Sequence, residues 1–295
     1  MPNALLLVNP KSRSGNSDLN DALQQLREAG YTFTELKPES RADVSKQIIA
    51  HADKADLLII GGGDGTINAA IRGVYESGIT AAVLPLGTAN DFARSLKIPF
   101  ALPDAVKTII KHRCERVDIG QLNQQYFVNV AHIGLAVDVA RSSNDTEKKY
   151  LSVFAYLLAM FRALKRNRSF RATIEYGETT LTTRCNHISV GSGRNYGGGM
   201  VVAENAKIND GLLELFTWKR RSLLRLIWAA IGMRHGRHTH LKEVRQITAP
   251  EITISTDQLL QVAADGEVLD KTPVEFSVHP LAVNVIVGEE FEHGD

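Results

Sequence analysis

The chain has 295 residues, is 44% hydrophobic and carries a formal net charge of +1. That size and apolar content can bury a substantial core and suit two domains, while the balanced charge gives no general case for binding nucleic acid. Its cysteines, Cys114 and Cys185, match no zinc-ligand spacing, which points to a reducing, cytoplasmic setting.

Residues 4–8 form an apolar run too short for the core of a signal peptide, and they lead straight into Asn9-Pro10. A first buried strand is predicted there. A polar loop over 9–16 follows, and Ser17 is placed as the cap of a helix with Leu19, Ala22, Leu23 and Leu26 on one face, closed by Gly30. Residues 31–36 read as a second strand, and Val44, Ile48, Ile49 and Ala52 mark a second helix. Next come the apolar run 57–60, three glycines at 61–63, and a helix over 67–75 carrying Ile67, Ala70, Ile71 and Val74. Residues 79–84 are another buried strand; Thr88 opens a further helix, and Pro103 sits at the start of one over 104–112. Such alternation predicts a parallel sheet covered on both faces, with ligands at the carboxyl ends of its strands. The loops after Val8, Ile60 and Leu84 all lie at such ends.

From about Asp118 the rhythm turns β-rich. Residues 126–131, 171–176, 181–190, 212–218, 251–255, 274–278 and 283–287 read as strands. Helices are predicted over 148–165 and 222–233, and the acidic tail 288–295 is expected to be loose. The longest apolar runs, 151–161 and 226–233, fall short of the roughly 20 residues that span a bilayer. A protein that is soluble or peripheral to a membrane is expected.

The stretch Gly61-Gly62-Gly63-Asp64-Gly65-Thr66-Ile67-Asn68 joins a strand to a helix through a turn with few side chains. Glycine lets a bulky ligand approach the backbone, and the helix that follows offers unpaired N–H groups and the positive end of its dipole. Two readings stand: a phosphate site, or only a tight turn. Asp64 favours the first, because a carboxylate beside an anion is repulsive unless a metal or a transferring proton accounts for it. No lysine of the Gly-x-x-x-x-Gly-Lys kind is present. The backbone of 62–68, the Thr66 and Thr88 hydroxyls and a metal are therefore left to hold a nucleotide.

Gly62-Gly63-Asp64-Gly65-Thr66, followed one strand later by Pro85-Leu86-Gly87-Thr88-Ala89-Asn90-Asp91-Phe92-Ala93-Arg94, resembles the diacylglycerol kinase catalytic family, which includes bacterial lipid kinases and sphingosine kinases. The first motif also suits NAD kinases; the second is more specific and points to the lipid kinases. The resemblance covers nearly the whole chain. It implies an α/β nucleotide-binding domain of the NAD kinase/diacylglycerol kinase-like type over 1–120, which binds ATP. Over 121–295 it implies a mainly antiparallel β-sandwich that binds lipid, its last residues free to return to the first domain. The expected activity is ATP- and magnesium-dependent phosphorylation of a hydroxyl on a diacylglycerol-like lipid, in the cleft between the domains. The alternatives are an NAD kinase, or an inactive regulator that binds lipid or nucleotide.

The same resemblance assigns roles residue by residue. Asn9 would lie beside the phosphates, with Gly62, Gly63, Asp64, Gly65, Thr66, Ile67, Asn68 and Thr88 around the nucleotide. Leu36 stands where relatives carry a nucleotide-contacting threonine. Asp64, Asp91 and Asp118 match aspartates that form a network with water and magnesium, and hard oxygen ligands suit that ion. Against this, Thr88–Asp91 is also a good capping box, and Asp118 could satisfy a turn. Ala264-Asp265-Gly266-Glu267 matches a late motif whose aspartate is proposed as the base for the lipid hydroxyl; Asp64 is the other candidate, and a bare Asp-Gly is also a hairpin turn. The block 191–199 with 207–212 resembles one in which an aspartate and two carbonyls hold a second metal. Here those are Asp210, Lys207 and Leu212, with a plain β-turn as the rival reading and Glu204 standing where relatives carry proline. Basic stretches over 141–171 and 219–245 flank the apolar helices. They are either a solvated face or a surface for transient contact with an anionic membrane. His235, His238 and His240 read as a solvated turn. A homodimer is left open.

Overall fold

The structure, a computed structural model, describes residues 2–9, 16–134, 169–193, 195–197, 200–201, 207–218 and 244–292. The predicted helices 148–165 and 222–233, most of the 9–16 loop, nearly all of both basic stretches, Glu204, the three histidines and the last three residues lie outside the described residues.

The first half alternates as its apolar spacing predicts. Its elements are β1 (Asn3–Val8), α1 (Asn16–Glu28), β2 (Thr32–Glu35), α2 (Arg41–His51), β3 (Leu57–Gly62), α3 (Asp64–Ser77), β4 (Ala81–Pro85), α4 (Asp91–Ser95) and α5 (Leu102–Lys111). Then come β5 (Cys114–Leu122), β6 (Gln125–Phe127), β7 (Val130–Gly134), β8 (Phe170–Tyr176), β9 (Thr179–Cys185), β10 (His187–Gly191), β11 (Asn195–Gly197), β12 (Met200–Val201) and β13 (Leu213–Trp218). The chain continues with β14 (Val244–Ala249), β15 (Glu251–Thr256), β16 (Gln261–Ala264), β17 (Glu267–Lys271) and β18 (Val274–Ile286).

The strands β2, β1, β3 and β4 pair in parallel in that order. β3 and β4 are buried along their whole length, as expected of strands covered on both faces. Beside β4 lies the C-terminal half of β18, parallel at Val285 and Ala81. β5 runs antiparallel to β18 across a bulge between His279 and Val283. Beyond the bulge the other half of β18 pairs with β15, which continues into β8 and β9. A second sheet, antiparallel, has the order β14-β13-β10-β7-β16-β17. Phe276, Ile252, Ile254 and Ile174 from the first sheet meet Ile133, Ile188, Leu215 and Val262 from the second in one buried cluster. A separate cluster unites β1, β3 and β4 with their helices. The expected fold class holds: an α/β unit followed by an antiparallel β-sandwich.

Several local expectations change. Helix α1 begins at Asn16, so Ser17 lies in its first turn. Ile49 of α2 is exposed. Thr88 opens no helix: α4 starts after Asn90, which takes the left-handed region at φ 49° with no side-chain cap. The reason is local, because the Asn90 carboxamide is committed to the glycine loop, accepting from Gly87 N at 2.9 Å and donating to Gly87 O at 3.1 Å. The run 126–131 divides into β6 and β7, and 181–190 divides at Asn186. The strands predicted at 274–278 and 283–287 are one bulged strand. Asp118 ends no strand; it sits inside β5, 1% exposed. β5 itself escaped the pattern because Glu115 and Arg116 interrupt its apolar run.

Candidate active site

The loops that follow β3 and β4 touch backbone to backbone. A Cβ on Gly63 would stand 2.9 Å from Gly87 Cα, and one on Gly87 only 2.5 Å from Gly63 Cα. Here the glycines are required by space. Gly62 is pressed in the same way by Thr66, whose side chain would lie 2.4 Å from an added Cβ. Asn9, at the end of β1, joins this floor: its N–H donates to Gly61 O at 3.0 Å and its amide to Thr66 Oγ1 at 3.4 Å. Helix α3 starts at Asp64 with Gly63 as its cap residue and no side-chain cap, so its first N–H groups face the glycine loops. Thr88 is exposed at the rim.

Asp64 turns toward α4. Its carboxylate accepts from Asp91 N at 3.2 Å and Phe92 N at 3.0 Å, and from Asn129 Nδ2 at 3.2 Å. A carboxylate at a helix N-terminus is favoured by both the free N–H groups and the dipole. The Asp64 carboxylate thus lies against the backbone of the buried Asp91.

Asp265 reaches this region from the other half of the molecule. It forms the β16–β17 turn with Gly266, at φ 47° and 87°, so the hairpin reading is correct as geometry. Its side chain points back into the junction. Oδ2 accepts from Asn68 Nδ2 at 2.5 Å and Val128 N at 2.8 Å; Oδ1 accepts from Asn129 N at 3.0 Å and Val130 N at 3.2 Å. Burial pushes its carboxyl up to about 6, and the four donors pull the other way. Asn129, 6% exposed, serves both carboxylates, with its backbone on Asp265 and its amide on Asp64.

The hydrogen bonds of Asp118 run to other segments. Its oxygens accept from Gly211 N at 2.7 Å and Leu281 N at 2.6 Å, which ties the 207–212 loop to the β18 bulge. Burial raises its carboxyl above the usual range, against the pull of those backbone donors. Asp210 lies in the same loop, accepts from Leu212 N at 3.0 Å, and is likewise raised by burial. Among the described residues, no three His, Cys, Asp or Glu side chains converge within reach of one metal ion.

Sequence comparison decides the family. The model described as "Diacylglycerol kinase catalytic domain" matches residues 3–122, and the one described as "YegS C-terminal NAD kinase beta sandwich-like domain" matches residues 129–287. A protein named diacylglycerol kinase from Staphylococcus aureus (strain MRSA252) is 30% identical over 302 residues, spanning 99% of this chain and 96% of the relative. The chain belongs to the diacylglycerol kinase family. It is therefore a lipid kinase. A crystal structure of a diacylglycerol kinase from Bacillus anthracis str. Sterne superposes with a TM-score of 0.80 at 27% identity, covering 98% of each chain.

Membership in the diacylglycerol kinase family gives the local geometry its context. Asn9, Gly62, Gly63, Asp64, Gly65, Thr66, Ile67 and Asn68 line one continuous path from β1 through the start of α3, while Asp118, Lys207, Asp210 and Leu212 gather at the β5–β18 bulge. Two side chains with a clear place in the junction carried no sequence signal. Asn129 is a lone polar residue between Val128 and Val130, and Arg41 is one charge among several at the start of α2.

Space at the glycine loops gives a direct check. Gly87→Ala should destabilise the fold by about 1–3 kcal/mol, the usual cost of forcing extra volume into a filled contact. Gly65→Ala, where an added Cβ meets nothing within 4 Å, should stay within about 0.5 kcal/mol of wild type. Denaturant unfolding of the two variants measures the difference; equal stabilities would refute the close approach.

Proposed function

We propose that the chain transfers the γ-phosphoryl group of ATP to the free hydroxyl of a diacylglycerol-like lipid, at the junction between an ATP-binding unit over 1–120 and a lipid-binding unit over 121–295. The observation that carries this reading is the placement of Asp265: its carboxylate, held by four donors, is delivered from the β16–β17 turn to within one residue, Asn129, of Asp64. The name of the Staphylococcus aureus relative supports the lipid class.

Phosphoryl transfer needs positioning, charge neutralisation and an oriented acceptor. In this reading the N–H groups at the start of α3 and the Thr66 and Thr88 hydroxyls receive the phosphates, with Asn9 bracing the floor, while the Thr66 and Ile67 N–H groups close the first turn on Gly63 O. Asp265 takes the proton of the lipid hydroxyl, whose oxygen bonds to the γ-phosphorus as ADP leaves. A base with its midpoint close to neutral is both ionised and basic enough for that work. Asp64 and Asp91, neighbours through the Asp91 N–H, would be the carboxylates for magnesium, an ion that takes one or two carboxylates and fills its remaining positions with water and phosphate oxygens. When bound, magnesium supplies neutralisation of the phosphate charge. Asp118 is kept with Asp64 and Asp91 in that magnesium network, and a second cation site is formed by Asp210 with the Lys207 and Leu212 carbonyls. There Asn209 buries a carboxamide oxygen that no donor reaches among the described residues, the kind of oxygen a hard cation satisfies. The lipid is met from the water side, at an anionic membrane surface touched by the basic stretches. No helix among the described residues is long and apolar enough to cross a membrane.

Purified protein incubated with ATP, magnesium and a mixed lipid extract should put phosphate on a glyceride hydroxyl; label found on no lipid would sink the reading. Asp265→Asn should lower turnover about 100-fold or more, the scale of a lost general base, with ATP binding nearly intact. The wild-type rate should fall as pH drops through about 6, because protonation removes the base, and that acid limb should be absent from the residual activity of the variant. Turnover within a factor of two of wild type would return the role to Asp64.

The second cation site has its own assay. Without nucleotide, magnesium should raise the melting temperature of the wild type and leave that of Asp210→Ala unchanged. An identical response in both proteins removes the 207–212 loop from consideration.

A further inference from the structure

Arg41 opens α2, away from every motif that marks the family. Its guanidinium reaches three groups at once. Nη2 donates to Asn68 Oδ1; Nη1 donates to Glu267 Oε1 at 2.5 Å and to the Gly65 carbonyl at 3.4 Å. On the other side of Asn68, the amide nitrogen donates to Asp265 Oδ2 at 2.5 Å and to Tyr126 O at 3.3 Å. The chain of contacts therefore runs from guanidinium to carboxamide to carboxylate.

A carboxamide can face a carboxylate only with its NH2 edge, because the opposite edge sets oxygen against oxygen. Which edge turns inward depends on the partner at the far side. Arginine has donors and no acceptor, so it takes the carbonyl edge and leaves the NH2 edge for Asp265. Lysine or a neutral side chain would fix this less firmly, since neither offers a rigid fork. Glu267, held by the other terminal nitrogen of the same fork, belongs to the strand that follows the Asp265 turn, so the guanidinium also ties that turn to α2 and α3.

We propose that Arg41 is a positioning residue for Asp265: it sets the Asn68 carboxamide with its NH2 toward the carboxylate and, through Glu267, holds the β16–β17 turn against the nucleotide-binding half. This inference rests on the reading of Asp265 as the base. The Arg41–Glu267 pair is 39% and 44% exposed, so the pair adds little to stability. Orientation is its contribution. The other groups around the carboxylate are consistent with that: residues 128–130 offer backbone N–H only, Tyr126 faces Asn68 through its carbonyl, and Asp64 stands behind the Asn129 amide. Arg41 is the positive charge in this set, and by keeping the Asn68 NH2 on Asp265, a bond that draws the carboxyl down, it favours the ionised carboxylate.

Arg41→Met and Arg41→Lys are compared with wild type and Asp265→Asn in lipid phosphorylation across the acid range. In the Met variant kcat should fall about 10- to 100-fold, the scale of a misplaced catalytic group. KM for ATP and the thermal midpoint should stay as in wild type, and the acid limb should move to higher pH. Arg41→Lys, which keeps the charge and some donors, should recover part of both changes. Wild-type kcat with an unmoved limb in Arg41→Met overturns the inference. So does a loss of kcat accompanied by a lower thermal midpoint or a raised KM for ATP while the limb stays in place. An acid limb that survives Asp265→Asn overturns the base assignment itself and the inference with it, so the two failures are told apart.

Discussion

A buried carboxylate has to be surrounded by donors, and meeting that demand at Asp265 organises the middle of this molecule. Leaving such a group unpaired costs several kcal/mol, far more than any surface contact returns. Its four donors come from α3 and from the 128–130 segment, while the carboxylate itself hangs from a turn with two left-handed residues. None of these three pieces can shift without breaking a charge-assisted bond, each worth about 1.5–3 kcal/mol. Asn129 then carries the constraint to Asp64, and Asp64 to the first N–H groups of α4. The glycine loops are thus fixed relative to a residue more than half the chain away.

The same logic explains what could be read from the sequence. Buried strands such as β3 and helices such as α3 have apolar periods that only one packing satisfies, so 57–60 and 67–75 were legible before any coordinates. The glycines at 62, 63 and 87 announce close approach, and the structure finds Gly63 against Gly87. Spacing says nothing about long-range pairing. That 274–278 and 283–287 form one strand, or that β5 lies beside it, depends on a bulge and on Asp118 accepting from Leu281, neither of which leaves a local trace. Capping patterns failed at Thr88 for a related reason: the Asn90 side chain had a stronger offer from Gly87 than from the helix. Polar residues that work at a distance, Asn129 and Arg41, look like ordinary surface chemistry until the chain is folded.

The aspartates of this chain share one feature that bears on mechanism. Asp64, Asp118 and Asp265 all accept backbone N–H groups from segments remote in sequence, so each holds structure before it does any chemistry. For Asp265 the four acceptor positions are filled, and a base with no free lone pair can take a proton only by exchanging a donor. On the proposed mechanism the lipid hydroxyl is that donor, and the backbone N–H it displaces gives up its acceptor, at a cost of about 1–3 kcal/mol for a buried donor. Val130 N, at 3.2 Å the longest of the four, gives up the least on leaving. On that mechanism the proton transfer waits for the hydroxyl to enter the junction, because its arrival keeps the carboxylate paired while a donor leaves.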